Sequence, residues 1–216
     1  KIITDSFDAQ AQGKNLIISD NKVTIAGEPE IKALDTQNKY VDEYIKKYGN
    51  VVDSDRAKEL IPGYKPENAP EFQKESGLIR DEVYNKVLEQ NKGKIDNVHF
   101  TAGGAAAGKS ESIVSSCIDK NSIVFDTTLS SPARVSDVKK ALDNGYKTKI
   151  SYILADPVAA WDRVLKRGRK IPMDSFARDY EQSLDNIKKL YSEYKDNPNV
   201  SFQFIDNTGE IGKAKL

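Results

Sequence analysis

Apolar residues fall along this chain in short blocks, and the spacing within each block changes from strand-like to helix-like. Leu16-Ile17-Ile18 and Val23-Thr24-Ile25 flank the polar Ser19-Asp20-Asn21-Lys22, which predicts a small hairpin. Leu34, Tyr40, Val41, Tyr44 and Ile45 then recur on one helical face, predicting a helix over 30–48 that Gly49 stops. Val51-Val52 reads as a short strand ending at Asp53. The stretch 67–91 reads as mostly helical, with Leu78, Ile79, Val83, Val87 and Leu88 spaced for one buried face. Beyond it, strands over 98–101, 123–125, 149–154 and 200–205 alternate with helices. Those helices are expected over 109–119, from Pro132 with Ser131 as its cap and Gly145 as its end, over 157–166 and over 174–194. Alternation of this kind predicts an α/β fold, a mainly parallel sheet with helices on both faces. Residues 1–49 are expected to form an N-terminal appendage of hairpin and helix packed on a domain of residues 50–216.

Composition narrows the function classes. The 216 residues carry 33 Lys plus Arg against 33 Asp plus Glu, a formal net charge of zero. Such a balance argues against gripping nucleic acid or anionic lipid by bulk charge. No apolar run reaches the length of a membrane span and no signal peptide is visible, so a cytoplasm, or delivery into one, is the expected location. The one cysteine, Cys117, has no internal disulfide partner, which fits a reducing compartment. The chain opens at Lys1 rather than Met and is expected to be processed or part of something longer.

The sharpest motif is Gly103-Gly104-Ala105-Ala106-Ala107-Gly108-Lys109-Ser110, which satisfies G-x-x-x-x-G-K-[ST] between a predicted strand and a predicted helix. Glycines let the backbone curl so that successive amides face phosphate oxygens, and the helix N-terminus adds partial positive charge. Lys109 is expected to reach the β- and γ-phosphates of ATP, Ser110 to ligate Mg²⁺, and Glu111 to lie against the nucleotide as the next residue. The alternative is a Gly/Ala-rich turn of no chemical consequence. No N-K-x-D segment reads guanine, and the chain is short for a mechanical ATPase.

Carboxylates and arginines complete the pattern. Asp126 follows Ile123-Val124-Phe125, as a metal-associated carboxylate at a strand end would; a turn cap with Thr127 and Thr128 is the alternative. Asp53 and Asp55 leave the Val51-Val52 strand. One of them would serve as general base toward a substrate hydroxyl, or Asp55 would cap a short helix. Arg163, Lys166, Arg167, Arg169 and Lys170 cluster around Gly168, where a mobile lid would bring guanidinium groups to a transferring phosphate. His99, Cys117 and Tyr180 read as packing residues.

Four pieces, GGAAAGKS, VVDSDRAKELIPGY, IVFDTT and the stretch from Gly145-Tyr146 through RGRKIP, together resemble the zeta-toxin family of P-loop kinases. The resemblance implies a nucleoside-triphosphate-hydrolase/kinase-like P-loop fold over 50–206 and phosphorylation of UDP-N-acetylglucosamine. Asp55, seven residues before Pro62, matches the family's catalytic base. Arg169 matches its lid arginine before Ile-Pro, with Arg163 or Arg167 as partner, and Thr128 its threonine after the acidic Asp126. Asp53, Glu75 and Glu82 are candidates for holding the substrate. The family often has an antitoxin that blocks the ATP site. Two departures stand out. The D-x-D segment precedes the P-loop here, as if the domain were circularly permuted, and Ser130 stands where the family often has arginine.

These observations together lead to an expected ATP- and Mg²⁺-dependent phosphotransferase. Its acceptor would be a hydroxyl on a small molecule, a nucleotide sugar or another nucleotide. A nucleotide-binding sensor without transfer activity, or a degenerate domain of a larger mobile-element protein, is the rival expectation.

Overall fold

The computed structural model describes residues 16–19, 22–25, 33–109, 118, 121–166, 171–209 and 214–215. The expected helix over 109–119 and the Asp20-Asn21 turn therefore lie almost wholly outside the described residues, as do Ser110, Glu111, Cys117, Arg167 and Arg169. The chain divides into two compact units, Lys1–Lys39 and Tyr40–Leu216.

In the first unit, β1 (Leu16–Ser19) and β2 (Lys22–Ile25) pair antiparallel with Leu16 opposite Ile25 and Ser19 opposite Lys22. Apolar blocks separated by four polar residues thus close as the hairpin their pattern predicts. Helix α1 spans Ala33–Tyr48, inside the stretch 30–48 that the spacing predicts, and residues 30–32 lie outside the described residues.

The second unit is built on a five-stranded, all-parallel sheet in the order β3-β5-β4-β6-β7. Its strands are β3 (Val51–Val52), β4 (Asn97–Ala102), β5 (Ser122–Asp126), β6 (Lys147–Ala155) and β7 (Val200–Asn207). Between them run α2 (Ser54–Lys58), a 3₁₀ segment (Pro66–Phe72), α3 (Gln73–Asn91), α4 (Pro132–Asp143), α5 (Pro157–Lys166) and α6 (Met173–Tyr194). The central strand β4 is buried on both sides, Val98, Phe100 and Ala102 on one and His99 and Thr101 on the other. That requires cover on both faces, as parallel sheets with helical crossovers supply.

Aromatic packing joins helix to sheet. Phe100 and Phe125 stack at 5.5 Å, and Tyr84 of α3 meets Phe125 edge-on at 4.7 Å. Tyr44 of α1, fully buried, donates from its hydroxyl to the Val51 carbonyl at 2.9 Å and accepts from the Asp53 amide at 2.9 Å. It thereby holds both ends of β3, a strand too short to be held by its ladder alone.

Three expectations need correction. Leu78 is 46% exposed, and the buried face of α3 is instead Ser76, Ile79, Val83, Tyr84, Val87 and Leu88. Leu78 lies about 100° around the helix from Ile79, just outside that stripe. The segment 66–72 is 3₁₀ rather than α, with Pro70 inside it offering no amide donor. Ser131 does occupy the cap position before Pro132, but its side chain makes no capping hydrogen bond. Gly145 closes α4 as expected, its φ of 86° lying in the left-handed region that favours glycine. His99 packs as expected, its Nε2 2.8 Å from Ser151 Oγ. No helix among the described residues is long and apolar enough to cross a membrane.

Candidate active site

Parallel strands bring their C-terminal ends to one edge of a sheet, and that is where open α/β folds form ligand crevices. Here β3 ends at Asp53, β4 runs into Gly103, and β5 ends at Asp126. Although β3 precedes β4 in the chain, it pairs with β5, Val52 opposite Phe125, so Asp53 emerges beside Asp126.

The loop after β4 is shaped by positive φ values, 140° at Gly103 and 97° at Gly108, with alanine carrying the same burden at Ala106, φ 56°. A Cβ at Gly103 would sit 2.8 Å from the Ile153 carbonyl oxygen, so close approach to β6 demands glycine as well. Side-chain donors hold the loop's carbonyls. Lys109 Nζ donates to Gly103 O at 3.1 Å and to Gly104 O at 3.4 Å, Arg163 to Ala106 O at 3.3 Å, and Asn207 Nδ2 to Ala107 O at 2.8 Å. Helices α5 and α6 contribute apolar cover, with Ala105 and Ala106 packed against a cluster of Ala160, Val164 and Phe176 that Trp161 and Tyr180 flank. Gly104 lies under the Tyr180 ring.

The carboxylates beside the loop feel one another. Asp53 caps α2, its Oδ1 accepting from the Asp55 amide at 2.8 Å. Its pKa is pushed up to about 6, first by burial and then by the charge of Asp126, against the pull of the Asp55 amide and Arg56. Asp126 is likewise raised, mainly by burial, while Lys109 and a 3.1 Å hydrogen bond from Thr101 Oγ1 favour its charged form. Asp55 sits in the first turn of α2 rather than at its cap, and its Oδ1 is 2.9 Å from the Nζ of a fully buried Lys58. Burial thus raises the pKa of both Asp53 and Asp126, while Lys109 favours the charged form of Asp126. Among the described residues no group of three or more His, Cys, Asp or Glu side chains gathers for a metal, and Ser110 lies outside them.

Asp126 thus lies within electrostatic reach of Lys109, Asp53 and Asp55, and Asp53 within reach of Asp55. Arg163 reaches the loop from α5. Thr128 lies just past β5, its Oγ1 2.8 Å from Ser130 Oγ and its carbonyl accepting from Ser183 of α6. Glu75 and Glu82 stay exposed on α3, Glu82 accepting from Asn85, and among the described residues neither pairs with the carboxylates. Sequence reasoning passed over Thr101, Asn207, Lys58 and the contact of Tyr180 with Gly104. For Lys58 a signal existed, three residues after Asp55 on a helix, where side chains of opposite charge meet. The others depend on strand register and helix placement.

Residues 111–210 match the family model described as Zeta toxin. The matched span takes in Asp126, Thr128 and Arg163 and leaves out β3 and the loop from Gly103 to Ser110. No curated protein matches the chain.

Proposed function

We propose, from the match of residues 111–210 to the Zeta toxin family model and its kinase-like character, that this protein transfers the γ-phosphoryl group of ATP to a hydroxyl of a small molecule. A nucleotide sugar such as UDP-N-acetylglucosamine, or another nucleotide, is the proposed acceptor, and a toxin-like action restrained by an antitoxin-like protein is the proposed context. The observation that carries the reading is the convergence of Asp53, Asp55 and Asp126 with Lys109 at the ends of adjacent parallel strands.

In this reading the loop from Gly103 to Ser110, with Glu111, holds ATP, and Lys109 leaves its loop carbonyls for the phosphates. Asp126 and Ser110 hold Mg²⁺, which supplies charge neutralisation at the phosphoryl group. Asp55 accepts the acceptor's proton through its outer oxygen, while Asp53 and Thr128 orient the acceptor. Arg163, Arg167 and Arg169 steady the charge on the transferred group. Balanced chemistry needs only that one P–O bond forms as another breaks and that the hydroxyl proton passes to a carboxylate.

A competing assignment of the base has a specific observation behind it. Burial and the charge of Asp126 push the Asp53 pKa up to about 6, nearer to neutral than an ordinary carboxylate, whereas Asp55 is paired with Lys58. Incubation with labelled ATP, Mg²⁺ and a panel of nucleotide sugars and nucleotides tests the function, a new phosphorylated species being the expected product. Comparing Asp55→Asn with Asp53→Asn identifies the base. Absence of any phosphorylated product alongside tight ATP binding would favour a nucleotide sensor instead.

A further inference from the structure

Tyr180 combines a ring seated on the loop with a hydroxyl that no described residue engages. A Cβ built on Gly104 would lie 2.1, 2.4 and 2.6 Å from Cε2, Cδ2 and Cζ of that ring, so the ring rests directly on the loop backbone. Phe176 backs it at 4.9 Å, and Trp161 in turn backs Phe176 at 5.0 Å. The hydroxyl is buried and, among the described residues, has no hydrogen-bond partner. Buried donors without partners are uncommon in folded proteins and call for a ligand or water. Cζ, the carbon that bears this hydroxyl, lies over Gly104, the residue whose carbonyl also receives Lys109 Nζ. Arg163 holds the next turn of the same loop at Ala106. An ammonium, a guanidinium and a phenolic O–H therefore border one short piece of backbone.

We propose that the Tyr180 hydroxyl donates a hydrogen bond to the terminal phosphate of a nucleoside triphosphate held by this loop. The proposal rests on the nucleotide-binding part of the function proposed above and adds a residue that distinguishes triphosphate from diphosphate. Burial pushes the Tyr180 pKa up to about 12, helped by Tyr152 and Asp156 against Arg163, so the group remains an O–H donor at neutral pH. A neutral donor adds selectivity without adding another positive charge to the loop.

Tyr180→Phe keeps the ring on Gly104 and removes only the oxygen. Titration calorimetry with ATP·Mg²⁺ and with ADP·Mg²⁺ is expected to show about tenfold weaker ATP binding and unchanged ADP binding, the size expected for one hydrogen bond to a charged group. The melting temperature without nucleotide is expected to stay level or rise, because an unused buried donor has gone. Equal affinities for ATP in wild type and Tyr180→Phe, or equal losses for both nucleotides, would overturn the proposal. Tyr180→Ala, which also removes the ring, is expected to weaken both nucleotides and so separates packing from hydrogen bonding. A wild-type protein that binds neither nucleotide would overturn the nucleotide reading itself, a result visible before any variant is compared.

Discussion

Asp53 offers a test in which folding and function pull in opposite directions. Its carboxyl pKa is raised from 3.8 to about 6 in the fold. A group whose folded pKa lies above its unfolded one binds its proton more tightly when folded. Its effect on stability is therefore absent below about pH 4 and becomes unfavourable as pH rises through 6. A difference of about 2 pH units, at about 1.36 kcal/mol each, makes ionised Asp53 a liability of up to about 3 kcal/mol at pH 8. The group is only 21% exposed, so solvent screening removes little of that. Asp53→Asn keeps an oxygen to accept from the Asp55 amide, and asparagine caps helices about as well as aspartate. The variant is expected to be more stable than wild type at pH 8 by up to about 3 kcal/mol, or about 5–10 °C in melting temperature for a chain of this size. At pH 4 the two proteins should melt together. Urea denaturation at both pH values, with ATP-dependent phosphoryl transfer measured alongside, provides the comparison. An Asp53→Asn protein less stable at pH 8, or one whose gain is the same at pH 4, would refute the reasoning. A stabilising substitution that also lowers activity would show that the fold tolerates this charge for its chemistry.

Other substitutions probe the loop and its neighbours. Gly104→Ala should force the Tyr180 ring aside, lowering stability by about 1–3 kcal/mol in thermal melts, with much of the loss recovered in the Gly104→Ala/Tyr180→Ala double variant. Ala106→Gly should raise the urea midpoint by about 1 kcal/mol of stability, because φ 56° strains alanine and not glycine; an unchanged midpoint would argue against that strain. Asp55→Asn should lower transfer to the acceptor by about 10²–10⁴-fold if Asp55 is the base, with ATP affinity nearly unchanged.

The order of strands against the order of chain explains how the site assembles. β3, with its D-x-D segment, comes before the loop from Gly103 to Lys109, yet where Asp53 emerges depends on which strand β3 pairs with and not on its place in the chain. Pairing with β5 sets Asp53 beside Asp126, and the register of β5 with β4 sets Thr101 beside Asp126 in turn. Each pairing is parallel and so points its terminal residues to the same edge.

The sequence by itself determined what local chemistry can encode. Two-residue and helical spacing marked the hairpin, the strands and most helices, and glycine and proline placed Gly145 and Pro132 at the ends of α4, because such positions depend on neighbours a few residues away. The G-x-x-x-x-G-K-[ST] motif marked the phosphate loop for the same reason, since its backbone needs positive φ at Gly103 and Gly108 whatever surrounds it. Only the tertiary structure decided which face of α3 is inside, turning Leu78 out and Tyr84 in, because that depends on what the helix packs against. Tertiary packing alone also set the pKa of Asp53, the burial of Lys58 behind Asp55 and the seat of Tyr180 on Gly104, some 76 residues apart in the chain. Burial and charge proximity are properties of three-dimensional neighbours, and no spacing along one chain contains them.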